Sequence, residues 1–283
     1  MPHAAGPRLE RSCTAAAPDL IRTGCGAPGI ERIAARFSGH AFDPHRHDSY
    51  AIGLTLAGVQ SFDYRGMRAD GLAGCALVIH PDERHDGRAG AEGGFAYRMA
   101  YVEPRLLAEA AGARLSALPF LRDPVSRDAR LVAAVRALVR DLDDPLEPLA
   151  ADAALAGLAD ALVALDPGAV RRPERSGVAA AVERARARLA AGVGESVRSE
   201  ELEALTGLDR FTLARHFRRR FGTSPHRYHV MRRLERARIL IGSGEALVEA
   251  ALAAGFADQS HLTRHFKRAY GITPERWRRI SAP

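Results

Sequence analysis

The stretch Leu213-Ala-Arg-His-Phe-Arg-Arg-Arg-Phe-Gly-Thr-Ser-Pro225 recurs as Leu262-Thr-Arg-His-Phe-Lys-Arg-Ala-Tyr-Gly-Ile-Thr-Pro274, and matched positions lie 49 residues apart without a gap. Two copies are too few for a solenoid, in which longer arrays of repeats stack. A duplicated unit on one rigid body instead suits a ligand that itself repeats. Duplex DNA is such a ligand, because its grooves return with every helical turn.

The first copy is predicted to form a helix-turn-helix. Gly207 interrupts the chain after a short helix, and Asp209 is suited to cap the N-terminus of the next helix, at residues 210–220. Leu213 and Phe217 are separated by one helical turn and therefore face the same way, toward a core. The arginines around them point elsewhere, toward a polar partner.

The second copy follows the same plan. Asp258 takes the place of the first cap, and residues 259–270 form the second helix. After each copy a glycine, Gly222 or Gly271, is predicted to end the helix in the left-handed conformation. The proline that follows each glycine begins the next helix, because proline is tolerated in a first helical turn.

These motifs resemble the DNA-binding domain of the AraC/XylS family of bacterial transcription regulators. The resemblance covers roughly residues 178–280. It rests on Arg233-Leu-x-x-Ala237, on the longer string Ala254-Gly-Phe-x-Asp-Gln-Ser-x-Leu-x-Arg-x-Phe-Lys267, and on Tyr270-Gly-Ile-Thr-Pro274. It implies two recognition helices joined by one long helix, each entering a major groove of double-stranded DNA.

The residues between the two copies support that geometry independently. From residue 226 to residue 240, apolar side chains recur at helical spacing, which predicts one continuous helix. About fifteen residues at roughly 1.5 Å each span about 22 Å. With the flanking motifs added, the recognition helices approach the separation of one duplex turn, about 34 Å. Both helices would then read successive major grooves on one face of the DNA.

Two sets of side chains are predicted to contact DNA. Arginine pairs with guanine and glutamine with adenine in the major groove. We therefore expect base edges to be read by Arg210, Phe211, Arg215, Gln259, Ser260, His261 and Arg264. Basic side chains further along each helix are expected to contact phosphates, namely Arg218, Arg219, Lys267 and Arg268. Ala214 offers no polar group, so the first motif is expected to specify fewer bases than the second.

The net charge of +7 is concentrated in the duplicated segment. From Val178 onward the chain has 20 Lys and Arg against 11 Asp and Glu, whereas the preceding residues have 21 against 23. A basic excess confined to one segment is typical of a module that binds a polyanion. DNA binding is therefore expected to weaken steeply as the salt concentration rises.

Composition favours a cytoplasmic protein with two domains. The length of 283 residues and the hydrophobic fraction of 47% are sufficient for two buried cores. No window of the sequence predicts a membrane span, and the N-terminal residues lack the apolar segment of a signal peptide. Three cysteines are scattered without CxxC spacing, which fits a reducing compartment. We therefore expect no membrane partner.

The chain divides into five segments by composition and periodicity. Residues 1–28 are predicted to be loose, residues 29–103 to form strands, and residues 104–165 to be helical. Residues 166–177 are a polar linker, and residues 178–283 are the DNA-binding domain. The predicted fold is an N-terminal all-β barrel with appended helices, followed by an all-α domain with two helix-turn-helix motifs joined by a long helix.

The N-terminal segment predicts a small barrel or jelly roll. Apolar residues alternate from Tyr50 to Leu56, after which Gly58 is expected to turn the chain. Further strands are predicted at residues 61–67, 76–80 and 95–102. More loosely, this segment resembles the cupin-like sensor domain found in the same family, on the basis of Pro44-His-x-His47, Gly58, Gly74 and Pro81-x-x-x-His85.

Histidines are concentrated in that cupin-like barrel. With a neighbouring arginine they are predicted to line or rim a pocket for a small polar or anionic effector: His45, His47, His80, Arg84 and His85. The alternative is that they are ordinary turn and surface residues. His45 and His47 have the HxH spacing of a cupin metal site, and His85 lies where a third ligand is expected. The acidic ligand that would follow is missing, so no metal or other cofactor is predicted, although three histidines can hold a metal alone and His45, His47 and His85 stay open as candidates.

Two apolar stripes at helical spacing follow the barrel, from Leu131 to Leu142 and from Leu149 to Leu165. Either stripe can pack on the barrel. In the family that the chain resembles, helices after the barrel often form the dimer interface. The resemblance therefore makes the Leu131–Leu142 stripe the candidate for a homodimer contact.

The sequence thus predicts a sequence-specific transcription regulator, not an enzyme, that responds to a small-molecule effector. The effector would bias the orientation or pairing of the DNA-binding domains through residues 104–165, and the regulator would recruit or block RNA polymerase. Two alternatives stay open: a metal-dependent cupin enzyme fused to a DNA-binding tail, and a nucleoid-type protein without sequence preference. The sequence has no paired catalytic carboxylates, nucleophile elbow or phosphate-binding glycine loop.

Overall fold

The computed structural model describes residues 18–112, 117–166, 168, 176–195 and 197–282. Over these ranges the chain forms a β-rich N-terminal domain followed by three helices, and then a C-terminal domain of seven helices. The predicted fold class is confirmed. The predicted linker, residues 166–177, falls for the most part outside the described residues.

The N-terminal domain contains two sheets that share one strand. The strands are β1 Leu20–Ala27, β2 Ile30–Phe37, β3 His40–His45, β4 Tyr50–Tyr64, β5 Met67–Leu72, β6 Ala76–Ile79, β7 His85–Ala89, β8 Phe95–Val102, β9 Val125–Ser126 and β10 Ser281–Ala282. The larger sheet has the order β10-β1-β2-β8-β4-β6-β9. The smaller sheet pairs β3 with β7, β7 with β4, and β4 with β5.

The strand shared by the two sheets bends at Gly58 instead of turning there. Before Gly58, β4 pairs with β8 and β6, and after it with β5 and β7. Gly58 has a φ of 68°, and a Cβ at this position would lie 2.1 Å from the carbonyl oxygen of Gly94. Only glycine satisfies both requirements. The predicted pair of strands is therefore one long strand that passes from one sheet to the other.

The larger sheet buries a different core on each face. Tyr50, Ile52 and Leu54 pack against the helices that follow the barrel, whereas Phe62 and Tyr97 lie in the core between the two sheets. The period-two pattern is confirmed for residues 50–54, because successive side chains of a strand point to opposite faces, whereas Leu56, predicted to continue it, is exposed.

The three helices after the barrel are α1 Pro104–Ala111, α2 Ala129–Val139 and α3 Pro148–Leu165. On α2, the apolar stripe is buried between α3 and the larger sheet, with Leu131, Val135 and Leu138 fully inaccessible to solvent. These side chains are therefore not available for the homodimer contact for which the sequence made them the candidate. The physical reason is that the sheet's outer face needs an apolar cover within the same chain.

Helix α3 is long and apolar enough, by length and composition, to cross a membrane. Seven of its 18 residues are nevertheless buried, six of them in the core that α2 shares with the sheet. Burial of this kind is typical of a core helix, and such a helix is weak evidence for a membrane span.

The C-terminal domain contains both helix-turn-helix motifs. Its helices are α4 Ser176–Ala191, α5 Ser199–Thr206, α6 Arg210–Phe221, α7 Pro225–Gly242, α8 Leu247–Ala253, α9 Gln259–Tyr270 and α10 Pro274–Ile280. The motifs are α5–α6 and α8–α9, and α7 connects them as one helix of 18 residues. At about 1.5 Å per residue, α7 is roughly 27 Å long.

Local signals fix the ends of the two recognition helices, α6 and α9. The side chains of Asp209 and Asp258 accept hydrogen bonds from backbone N–H groups of the first turn, as N-caps do. At the other end, Gly222 and Gly271 adopt φ of 72° and 70°. Each motif has a core of its own, built on the matched pairs Leu213 with Phe217 and Leu262 with Phe266.

The N-terminal segment predicted to be loose, residues 1–28, contains a strand from Leu20. This strand, β1, pairs with β2 on one edge and, over Ile21 and Arg22, with the short β10 on the other. The sequence did not indicate it because the partner on one of its two edges is Ser281–Ala282, at the far end of the chain. Residues 1–17 lie outside the described part of the structure.

Candidate functional site

The first recognition helix, α6, presents its polar side to solvent. Arg210, Phe211 and Arg215 are exposed, and the Arg210 guanidinium lies 5.2 Å from the centroid of the Phe211 ring. Leu213 and Phe217 are buried on the opposite side. The three side chains predicted to read bases on α6 therefore occupy neighbouring exposed positions, one turn apart.

The second recognition helix, α9, is exposed in the same way. Gln259, Ser260 and Arg264 are exposed at its N-terminal half. His261 is only half-exposed, because its ring packs against that of His265 with centroids 4.7 Å apart. Part of the His261 ring is thus covered by contacts within the motif, and the fully exposed side chains of this set are Gln259, Ser260 and Arg264.

Two of the four predicted phosphate contacts are paired with carboxylates of the N-terminal domain. Nη2 of Arg218 donates a hydrogen bond to Oδ2 of Asp82 at 3.1 Å, and Nζ of Lys267 lies 2.7 Å from Oδ2 of Asp43. The hydrogen bond from Lys267 holds the pKa of Asp43 below its usual value. Arg218 and Lys267 are matched positions of the repeat, so each motif gives up the same basic side chain to the barrel. Arg219 and Arg268, the other two, are exposed.

The glycines that end α6 and α9 also contact the barrel. The carbonyl of Gly271 accepts a hydrogen bond from the backbone N–H of Asp43 at 2.8 Å, and a Cβ on Gly271 would lie 2.7 Å from Nδ1 of His45. A Cβ on Gly222 would lie 2.5 Å from the Pro81 side chain. The C-terminal ends of both recognition helices are therefore docked on the N-terminal domain, at matched positions.

The structure brings together three of the predicted pocket residues, His45, His47 and His85. The ring centroids of His45 and His47 lie 4.2 Å and 4.9 Å from that of His85. In each histidine Nδ1 is within hydrogen-bond distance of a backbone carbonyl, which fixes the neutral tautomer. Burial lowers the pKa of His85 to about 4 and those of the other two well below the usual value.

Among the described residues, no group of three or more His, Cys, Asp or Glu is arranged so that it could hold a metal ion. The contacts between the three rings are packing contacts within a buried cluster. His45 and His47, whose HxH spacing is that of a cupin metal site, line the boundary between the two domains.

Two predicted pocket residues, His80 and Arg84, lie elsewhere. His80 is buried, with Nδ1 2.7 Å from the Tyr64 hydroxyl and Nε2 accepting from the backbone N–H of Leu121 at 2.9 Å. Both ring nitrogens are thus used inside the barrel, and burial lowers the pKa of His80 to about 3. Arg84 is exposed and does not line the cavity described next.

A cavity of about 430 Å³ lies between the two domains. Strands β1–β3 and the residues next to β4 and β8 form one wall, and α7, α9 and α10 form the other. Its apolar lining includes Phe42, Met231 and Trp277, and its polar lining includes His47 and Tyr270. This volume is within the range of small-molecule sites in proteins. The imidazoles of His45 and His47 reach it from the barrel side.

Ion pairs between the domains line the same cavity. Arg238 on α7 makes a bidentate pair with Glu31 of β2, with both N–O distances at 2.6 Å. Nη2 of Arg232, six residues earlier on α7, lies 2.8 Å from Oδ2 of Asp48, and Arg232 also pairs with Glu235 at 2.9 Å. A bidentate pair of this kind fixes orientation as well as distance. Helix α7 is thus both the connector of the two motifs and one wall of the cavity.

Sequence reasoning missed these residues of α7. Arg232, Glu235 and Arg238 recur every three residues and so share one side of the helix. Charges of alternating sign along one side of α7 are the signal that could have indicated a second contact surface, the one that faces the barrel. The acidic partners Glu31 and Asp48 carry no such local signal.

The chain matches two family models. Residues 27–159 match the AraC-like ligand binding domain, and residues 202–280 match a helix-turn-helix domain. An uncharacterised HTH-type transcriptional regulator from Bacillus subtilis (strain 168), YbfI, is 26% identical over 243 residues, which cover 83% of this chain and 86% of that protein.

Solved structures of ToxT from Vibrio cholerae have a similar two-domain fold. An apo variant has a TM-score of 0.65 at 12% identity, over 90% of this chain and 99% of that one. Wild-type ToxT with a bound unsaturated fatty acid has a TM-score of 0.63 at 12% identity, over 89% and 94% of the two chains. At this level of identity the likeness concerns the fold.

Proposed function

Because the chain belongs to the AraC/XylS family of transcription regulators, we propose that α6 and α9 read two successive major grooves and that a small molecule between the domains controls this reading. The observation that carries the proposal is the matched exposure of the two recognition helices. Each begins at an aspartate cap and presents arginine, with glutamine on α9, from its first turns.

Arginine and glutamine are the side chains that form bidentate contacts with guanine and adenine in the major groove. Arg210, Arg215, Gln259 and Arg264 are therefore proposed to specify the sequence, with Phe211, Ser260 and His261 at the edges of the contact. Arg218, Arg219, Lys267 and Arg268 are proposed to hold phosphates. The basic excess of residues 178–283 supports this division.

The docked arrangement supports control by an effector. Asp82 and Asp43 partly neutralise Arg218 and Lys267 and hold them against the barrel, so docking on the barrel and binding to DNA would compete for the same side chains. A ligand in the interdomain cavity, next to His45 and His47, would shift the balance between the two states. A fatty acid bound to ToxT supports the capacity of this fold to take a small molecule.

We further propose that the protein acts in the cytoplasm at promoters, where it recruits or blocks RNA polymerase. The direction of the effect would depend on where its site lies relative to that of the polymerase. Mapping of its binding sites across the genome would identify those promoters.

The DNA-reading role is tested with Arg264→Ala. A duplex is first selected by the wild-type chain from a randomised pool, and affinities are then measured by fluorescence anisotropy. Loss of one bidentate base contact is expected to weaken binding by about 1–3 kcal/mol, or roughly 5- to 150-fold, and to relax the preference at one base pair.

Arg136→Ala, on the exposed side of α2 and far from the recognition helices, is the matched control and should leave the affinity unchanged. Equal affinity of wild type and Arg264→Ala for the selected duplex would remove Arg264 from the reading surface. Equal affinity of wild type for the selected duplex and for a scrambled one would instead favour a binder without sequence preference.

A further inference from the structure

The wall of the interdomain cavity has more carboxylates than guanidinium groups. The acidic side chains that line it are Glu31, Asp48, Glu103 and Glu235, and the basic ones are Arg232 and Arg238. All six lie at the contact between the domains, where their side chains are buried or partly buried. An excess of one charge in such a place attracts a ligand of the opposite charge.

The excess is localised beside Arg232. Arg238 is fully occupied by its bidentate pair with Glu31. Arg232 serves three carboxylates at once: Asp48 at 2.8 Å, Glu235 at 2.9 Å and Glu103 at 3.6 Å. Glu103 has a second partner outside the cavity, Arg105 at 3.3 Å. Among the described residues, Asp48 and Glu235 therefore share Arg232 as their ion-pair partner, whereas Arg227 and Arg238 act on them only at longer range.

The protonation of these two carboxyl groups reflects the shortage of positive charge. Burial raises the pKa of Glu235 to about 7, against the attraction of Arg232 and with a further contribution from Asp48. Burial likewise raises the pKa of Asp48. A second cation placed beside them, on the cavity side, would stabilise both ionised forms. Asp48 belongs to the N-terminal domain and Glu235 to α7, so such a cation would bridge the domains.

The remaining polar atoms of the cavity are suited to a hydrogen-bond donor. Nδ1 of His47 is bonded to the Ser49 carbonyl, so Nε2 carries a lone pair, and Nε2 is buried without a partner. The hydroxyl of Tyr270 is also buried without a partner. Around them, Phe42, Tyr101 and Trp277 supply aromatic rings. Rings of this kind bind apolar groups and also attract cations through their faces.

We propose that the cavity binds a small organic cation, a protonated amine on an apolar or aromatic body, with its ammonium group on the cavity side of Asp48 and Glu235, beside the Nη2 of Arg232 that already pairs with both. This deepens the proposed effector control and rests on it. The carboxylate of a fatty acid, the ligand of ToxT, would instead face Asp48 and Glu235 at close range. By bridging the domains, the amine would favour the docked state and lower the affinity for DNA.

The protein carries a reporter for this proposal. Trp277 is the single tryptophan of the chain and lines the cavity. Its fluorescence is measured in the full-length protein during titration with three probes of similar size: 2-phenylethylammonium, the neutral 2-phenylethanol and the anionic phenylacetate. The fluorescence of Trp277 is expected to change saturably with the amine. The affinity for the amine is expected to be at least about tenfold higher than for phenylacetate, because one added ion pair in a partly buried site is worth about that factor.

Glu235→Gln tests where the amine binds. This variant is expected to lose most of the preference for 2-phenylethylammonium over 2-phenylethanol. Glu109→Gln is the matched control, since Glu109 pairs with Arg105 on α1 outside the cavity, and should retain the preference. Circular dichroism checks that both variants fold. If Glu235→Gln does not fold, the order of the affinities of the three probes for the wild-type protein alone decides whether the cavity prefers a cation.

Phenylacetate binding as tightly as the amine, or no response of Trp277 to any probe, would overturn the cation assignment and leave DNA reading by α6 and α9 untouched. A preference for the amine that persists in Glu235→Gln would overturn the assigned position. Amine binding as expected without any change in DNA affinity would support the cation and contradict the proposed effector control.

Discussion

Substitution of Asp82 by asparagine is expected to strengthen DNA binding by the full-length chain. Asp82 lies in the turn before β7, and its side chain is 8% exposed. It accepts a hydrogen bond from Arg218 on α6 and forms an ion pair at 2.8 Å with Arg227 on α7. Asparagine has nearly the same shape and tolerates the left-handed backbone of this position, where φ is 62°. The substitution thus removes the charge and keeps the turn.

The size of the effect follows from the exposure of the two partners. The Arg218 side chain is 63% exposed, so its pair is worth about 0.5 kcal/mol. The Arg227 side chain is 24% exposed, and its pair contributes about 1.5 kcal/mol. Docking should therefore weaken by about 2 kcal/mol in total. If docking and DNA binding compete, the affinity for DNA rises by at most about 30-fold.

Fluorescence anisotropy with the selected duplex measures this gain. Asp63→Asn is the control, because Asp63 is exposed on the surface of the barrel, where it pairs with Arg88 of the same domain at 2.9 Å. It should bind DNA as wild type does. If folded Asp82→Asn bound the duplex no more tightly than Asp63→Asn, competition between docking and DNA binding would be refuted.

Four further outcomes are expected. Gly207→Ala should lower the free energy of unfolding by about 1–2 kcal/mol through its left-handed backbone alone, since φ is 71° and nothing lies within 4 Å of the added Cβ. Gly271→Ala should in addition separate the domains, because the added Cβ would collide with His45. Small-angle scattering should then show a larger radius of gyration for Gly271→Ala than for Gly207→Ala, and equal radii would contradict the docked arrangement. Binding of 2-phenylethylammonium should strengthen as the pH rises from 6 to 8, by up to about tenfold per unit below the Glu235 pKa of about 7, because the ionised form attracts the cation. The other charged or titratable groups lining that cavity are Glu31, His45, His47, Asp48, Tyr101, Glu103, Arg232, Arg238 and Tyr270, and a slope that persists in Glu235→Gln would assign the titration to one of them. Leu131→Ala should destabilise the protein by about 2–5 kcal/mol in urea unfolding, since Leu131 is fully buried; a loss below 1 kcal/mol with weaker self-association would return α2 to the role of an interface.

The recognition helices could be predicted closely because their signals are local. The caps at Asp209 and Asp258 and the glycines at the far ends are each decided by a few neighbouring residues, and the structure places the helix ends within one residue of the sequence-based bounds. The strand alternation around Tyr50 is local in the same sense. Gly58 shows the limit of such signals, since a glycine that permits a turn also permits a bend.

The docking surface could not be predicted, because it depends on residues far apart in the chain. Asp43 and Lys267 meet only when the barrel and α9 are both folded. The same holds for β1 and β10, and for Glu31 with Arg238. Histidine spacing suggested a pocket, and the structure places His45 and His47 at one. Arg232, Glu235 and Arg238 also line this cavity, but from the sequence α7 was expected only to connect the two motifs.

The barrel covers the recognition helices unevenly. It contacts their C-terminal ends, at Gly222 and Gly271, and leaves the first turns of both helices exposed. In a complex with DNA, the ends would grip the backbone of the duplex, whereas the first turns would distinguish one base pair from another. Release of the DNA-binding domain from the barrel would therefore raise the regulator's affinity for all target promoters in similar proportion. The order of those promoters by affinity would stay the same. The effector would set how much of the regulon is occupied, and the two helices alone would decide which genes belong to it.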